Sequence, residues 1–243
     1  MALQARNRQQ ESHDEESFFM SMTDMMVGML FLFLILLMFF AMKFNEASAR
    51  KTVAVESLTR AKEARDQILQ EIKKAMEREK VNVLIDPDDG IVRLPEATLF
   101  EHRKSELSSL GEHAVASLAK VLYQVLPCHT ATASSNCGKV RHPIESVLVE
   151  GHTDATGTEA RNWELSLQRS LKTFELLQKT RPELVTLKNS TGQMLIGLAG
   201  YGRNRLLIKT EKEEAQNRRI DIRFIMHVPR VIELEELERR GTL

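Results

Sequence analysis

One acid, Asp24, stands near the start of an otherwise apolar block. The block runs from Phe18 to Phe44 and reads FFMSMTDMMVGMLFLFLILLMFFAMKF, with no charge or strong polar group between Met25 and Met42. A carboxylate at mid-membrane costs about 2.5–3.5 kcal/mol on insertion scales, and less toward an edge. An acid kept there needs a reason, and handling an ion is one. The carboxyl can take up and release a proton, and the hydroxyls of Ser21 and Thr23 can hydrogen-bond it or a passing ion. The competing reading starts a helix at Met25 and makes Asp24 its N-cap, a position that Asp favours. That reading leaves Phe18, Phe19, Met20 and Met22 as apolar residues without a role, so ion handling is preferred. A single helix cannot enclose an ion path, and a partner membrane protein is therefore implied.

Cys128 and Cys137 are the only two cysteines and enclose eight residues. Such a pair suits a disulfide in an oxidising compartment such as the bacterial periplasm. Closing a loop of this size stabilises by roughly 2–3 kcal/mol in the chain-entropy model. Zinc held by Cys128, His129, Cys137 and His142 is the alternative, but those spacings match no common zinc pattern. Farther along, Asp154 and Arg169 by type alone read as a helix cap and a partner for a surface acid. No nucleophile–base pair and no metal-ligand cluster occurs at usable spacing, so the sequence points to binding without catalysis, and to no metal or cofactor.

Several elements must position these residues. The apolar block is long enough to cross a bilayer as one helix, for which ~20 apolar residues are needed. A cleaved signal peptide is disfavoured by the length of the run, the lack of a small-residue cleavage site, and the acids Asp14, Glu15 and Glu16 before it. Arg6 and Arg8 lie on one side of the block and Lys43, Arg50 and Lys51 on the other, so positive charge does not orient it. The cysteines do: they place the amino terminus in the cytoplasm and the rest in the periplasm. The chain of 243 residues balances 34 basic against 34 acidic residues, which gives no reason to expect nucleic-acid binding.

The expected organisation is a cytoplasmic tail over 1–17, a transmembrane helix over 18–44, a linker helix over 45–80, a folded domain over 81–230 and a tail over 231–243. In the linker, Leu58, Ala61, Ile68, Ile72 and Ala75 form a narrow stripe, with Arg65 in its seam. The stripe suits either a short coiled coil with a second copy or a solvated helix. Next come a hairpin (81–85 and 90–94), a helix (107–126), a cysteine-bearing loop (127–143) and a strand (146–150). A helix (165–179, apolar at Leu167, Leu171, Phe174 and Leu177) and two strands (194–199 and 220–226) complete the domain. A helical tail follows. The fold class is α+β: an α/β sandwich with helices on one face of a mixed sheet.

The stretch GHTDATGTEARNWELSLQRS, Gly151 to Ser170, resembles the OmpA-type peptidoglycan-binding domain. The motif residues are Gly151, His152, Thr153, Asp154, Gly157, Asn162, Leu165, Ser166 and Arg169. Leu94-Pro95 through Phe100, Leu107, Gly111, Gly200-Tyr201-Gly202 and Asn217 through Ile222 agree in order, so the resemblance covers roughly 81–230. It implies a groove for a peptidoglycan stem peptide, whose diaminopimelate carries an amine and carboxylates. Asp154 and Arg169 are then the main ligand-holding pair, with Arg169 gripping a carboxylate in bidentate fashion. Asn162, Leu165 and Arg218 line the groove, and His152 is structural.

A membrane acid followed by such a domain resembles the B subunit of rotary stators, of which flagellar MotB is the familiar member. The resemblance implies two B chains, a homodimer, inside a ring of five MotA-like multi-span subunits, with protons or sodium ions passing the aspartate. That role falls on Asp24, and about 44–57 corresponds to the plug or linker. Flagellar members usually have Ala before the aspartate and Thr three residues after it; here Thr23 and Val27 stand there. The chain looks more like ZorB, the MotB-like subunit of Zorya anti-phage systems.

Overall fold

The structure is a computed structural model that describes residues 2–100, 104–130, 137 and 142–228. The expected helical tail over 231–243 lies outside the described residues. The chain divides into two units, 1–55 and 56–243. Helix α1 spans Ala2–Arg78.

In the first unit no side chain from Met22 to Ala47 is buried, although most are apolar. One segment of α1 is long and apolar enough to cross a membrane. Met25 to Met42 alone covers about 27 Å at 1.5 Å per residue, close to the thickness of a hydrocarbon core. Charge returns just beyond it, where Lys43 pairs with Glu46 at 3.0 Å.

The second unit is built on a five-stranded mixed sheet in the order β1-β2-β5-β3-β4. The strands are β1 (Leu84–Asp86), β2 (Ile91–Pro95), β3 (Ile144–His152), β4 (Ile196–Gly200) and β5 (Arg219–Met226). Only β3 and β4 are parallel; the other pairs are antiparallel. The helices are α2 (Glu96–Leu99), α3 (Ser109–Val125) and α4 (Glu159–Thr180).

Alternation decides which side of the sheet is covered. Val92 and Leu94, Val147 and Val149, and Ile220, Ile222 and Phe224 all enter one core with Val115, Leu118 and Leu122 of α3. The same core takes in Ile68, Leu69, Ile72 and Met76 of α1, each fully buried. This part of the linker stripe therefore serves neither a coiled coil nor a solvated helix. It packs against the chain's own sheet, while Leu58 stays exposed. Arg65 also gains a role: its Nη2 donates to the carbonyls of Pro87 (2.9 Å) and Asp88 (3.0 Å). That contact secures the β1–β2 turn, where Gly90 has φ +70° and a Cβ would lie 2.6 Å from the Arg65 side chain.

The cysteine pair forms a disulfide with its Cα atoms 5.1 Å apart, so zinc ligation by Cys128 and Cys137 does not occur.

The opposite face of the sheet carries ions in place of a second layer. Asp221 receives Arg93 and Arg219, both at 2.9 Å. Glu150 receives Arg223 at 2.9 Å and the hydroxyl of Tyr201 at 3.3 Å. His152 is buried among them and stacks on Tyr201. Burial, then the charges of Arg219, Arg205, Arg93 and Arg223, lower its pKa from 6.5 to about 2.

Unfolded, His152 regains an ordinary pKa, so the unfolded chain binds more protons between pH 6.5 and 2. The stability owed to its neutral burial is complete above pH 6.5 and drains as pH falls, by at most about 1.4 kcal/mol per unit. Denaturant unfolding of the full chain in detergent at pH 7, 6 and 5 is expected to show falling midpoints. His152→Gln should flatten that slope; an equally steep slope in the variant would remove His152 as its source.

Candidate functional site

Helix α4 begins at Glu159, six residues before the expected start at Leu165. Thr158 is its N-cap, and its hydroxyl accepts the Arg161 amide at 3.4 Å. The polar run 159–164 hides this turn from an apolar-periodicity reading. Asp154 is not the cap. Its Oδ1 accepts the amide (3.0 Å) and hydroxyl (2.6 Å) of Thr156, closing a tight turn ahead of the helix. The side-chain amide of Asn162 donates to the Thr156 carbonyl at 2.9 Å and ties this turn to α4.

The face that α4 turns inward is polar. Asn162, Ser166, Arg169, Ser170 and Thr173 are buried, whereas Leu167 and Leu171 are 49% and 44% exposed. Of the four expected apolar positions, Leu167 and Leu171 thus point outward, whereas Leu177 is buried in the core and Phe174 packs against it. Close approach is the reason. A Cβ on Gly151 would lie 2.1 Å from the Ser166 carbonyl oxygen, so the helix rests directly on the strand. Only small side chains fit there. Their hydroxyls find partners: Ser170 donates to the Ala199 carbonyl at 2.6 Å, and Ser166 accepts the Gly202 amide at 3.0 Å.

This seating carries Arg169 to the base of a cleft of about 240 Å³. Asp154, Asn162, Leu165, Arg169 and Arg218, the five residues singled out from the sequence for wall binding, all line it. Arg218 arrives from the segment before β5, and its Nη1 donates to Asp154 Oδ2 at 2.9 Å. Glu96, the first residue of α2, lies between the two arginines. Its Oε1 accepts from Arg169 Nη2 and its Oε2 from Arg218 Nε. Arg169 Nε donates to the Lys104 carbonyl at 3.0 Å, and the guanidinium sits 5.1 Å from the centre of the Phe100 ring. Its Nη1 is buried without a hydrogen-bond partner among the described residues.

The charges tune each other. Burial pushes the Asp154 carboxyl up, but hydrogen bonds from Thr156 and Arg218 outweigh it and hold the pKa below the usual carboxylate range. Burial lowers the Arg169 pKa despite Glu96. Arg218 is raised, because its bonds to Asp154 and Glu96 overcome its desolvation.

Sequence reasoning missed Glu96 and Arg161, which also line the cleft. Glu96 lies 73 residues from Arg169, and no local spacing connects them. Asp24 lies well inside α1, not at its start, so it caps no helix. Ser21 precedes it by three residues in the sequence, and Thr23 is adjacent to it.

A profile of the OmpA family matches residues 130–219, which contain the motif turn, α4 and Arg218. The folded domain is OmpA-like, an open mixed sheet with helices on one face. Among curated proteins, the Zorya protein ZorB of Escherichia coli O139:H28 is 26% identical over 163 residues, 64% of this chain. The chain matches 58% of that relative's length. A MotB-like protein of Desulfovibrio vulgaris is similar at 18% identity and a TM-score of 0.47, over 71% of this chain and 96% of that one. The periplasmic domain of Helicobacter pylori MotB follows at 16% and 0.43, over 62% and 85%.

Glu96→Ala strands Arg169 as an uncompensated buried charge, a change that costs about 3–5 kcal/mol. The expected result is a large drop in the denaturant midpoint, with Glu96→Gln intermediate. Alanine at wild-type stability would mean that Glu96 does not hold the cleft together.

Proposed function

We propose that the chain is the B-type subunit of a proton-driven rotary stator in the bacterial inner membrane, anchored to peptidoglycan and serving anti-phage defence. The observation that carries this reading is the cleft. Five residues from α4, from the turn before it and from the segment before β5 converge there, and Arg169 Nη1 has no hydrogen-bond partner among the described residues. That donor and the neighbouring Asp154 suit the carboxylate and amine of a diaminopimelate. The site binds and does no chemistry on its ligand.

The rest of the reading follows from the membrane segment. Asp24 takes up and releases the transported proton, with Ser21 three residues before it and Thr23 next to it in the sequence. Gly28, one turn later, leaves open space beside the acid, which lets a partner helix approach closely. Two copies of this chain sit within a ring of five MotA-like multi-span subunits. The amino terminus is cytoplasmic and the folded domain periplasmic, where its disulfide is stable. Similarity to the Zorya protein ZorB favours defence over motility.

Two variants separate the anchor from the motor. Asp154→Ala should cut co-sedimentation with purified peptidoglycan at least about tenfold, the loss expected for a charge-assisted hydrogen bond. Asp154 is preferred to Arg169 here because removing Arg169 also unpairs Glu96. Unchanged sedimentation would show that the wall contact lies elsewhere. Asp24→Asn should leave expression, insertion and wall binding intact while abolishing proton flux with the partner subunit, and phage protection with it. If the asparagine variant still protects cells, the chain is a passive tether.

A further inference from the structure

The cleft has a cation that the protein's own acids leave alone. Glu96 and Asp154 are committed to Arg169 and Arg218. Arg161 lines the same cleft, yet among the described residues its guanidinium has no ion-pair or hydrogen-bond partner. Its position is electrostatically unfavourable. It lies in the first turn of α4, where the helix dipole presents positive charge and a cation is destabilising. No hydrogen bond or ion pair among the described residues offsets that cost.

Arg161 also stands where two depressions meet. A second, open groove of about 230 Å³ shares Arg161 and Leu165 with the cleft, and Lys104, Ser105, Glu106, Glu164 and Gln168 complete its walls. A ligand that leaves the cleft along α4 passes Arg161.

The chemistry of the ligand class defines what Arg161 meets. In an acidic stem peptide the diaminopimelate follows a D-glutamate joined through its γ-carboxyl, which leaves the glutamate α-carboxylate free. The second carboxylate lies one residue from the first. We infer that Arg161 is a specificity site for this second carboxylate, so that the cleft distinguishes stem peptides with a free D-glutamate α-carboxylate from those in which it is amidated. The inference rests on the wall-binding reading of the cleft.

The test uses the full chain in detergent micelles at low salt and two synthetic tripeptides, L-Ala-γ-D-Glu-meso-diaminopimelate and its D-isoglutamine counterpart. Wild type should bind the acid form about fivefold more tightly, as expected for an ion pair at an exposed position. Arg161→Ala should bind both forms equally, at the wild-type affinity for the amide. Arg161→Lys should keep part of the preference, because it keeps the charge without the planar fork. Equal binding of the two peptides by wild type, or a preference that survives in Arg161→Ala, overturns the assignment and leaves the wall-binding reading standing. Failure of wild type to bind either peptide overturns both.

Discussion

The cleft depends on one buried carboxylate. Glu96 bridges Arg169 and Arg218, and through Arg218 it reaches Asp154. Without it, two guanidiniums would face each other across a partly desolvated space. With it, α2, α4 and the segment before β5 are joined by charge-assisted hydrogen bonds, stronger than neutral ones. The bridge also rations charge: among the described residues, Arg169 Nη1 and the Arg161 guanidinium have no partner.

The bridge in turn requires α4 to lie unusually low on the sheet. Gly151 and its register partner Gly200 present no side chains beneath the helix. Hydroxyl-bearing residues fill the narrow gap and satisfy backbone groups at the strand ends. Hydrophobic burial is thus largely delegated to α3 and the end of α1, while α4 is held by polar fit and positions the site.

Much of this was legible in the sequence. The run 220–226 was legible as a strand, and the residues that the motif resemblance named meet in one cleft. Three things were not legible, each for a physical reason. The inward face of α4 is polar, so a rule that assigns apolar residues to the core misdirects Leu167 and Leu171. Glu96 meets Arg169 only through tertiary folding. The linker stripe has the spacing of a coiled-coil seam, and nothing in that spacing distinguishes a second chain from the chain's own sheet. Arg65, which looked like a flaw in the seam, is a hydrogen-bond donor to a turn.

The burial of the last turns of α1 has a consequence for where the domain begins. Ile68, Leu69, Ile72 and Met76 are as fully enclosed as any strand residue. Burying one such side chain stabilises by about 1.5–3 kcal/mol, so together they rival the net stability of an ordinary domain. A fragment cut at the first strand would lose a wall of its core and expose the sheet beneath. Ile68 to Met76 thus share one hydrophobic core with the strands that follow them.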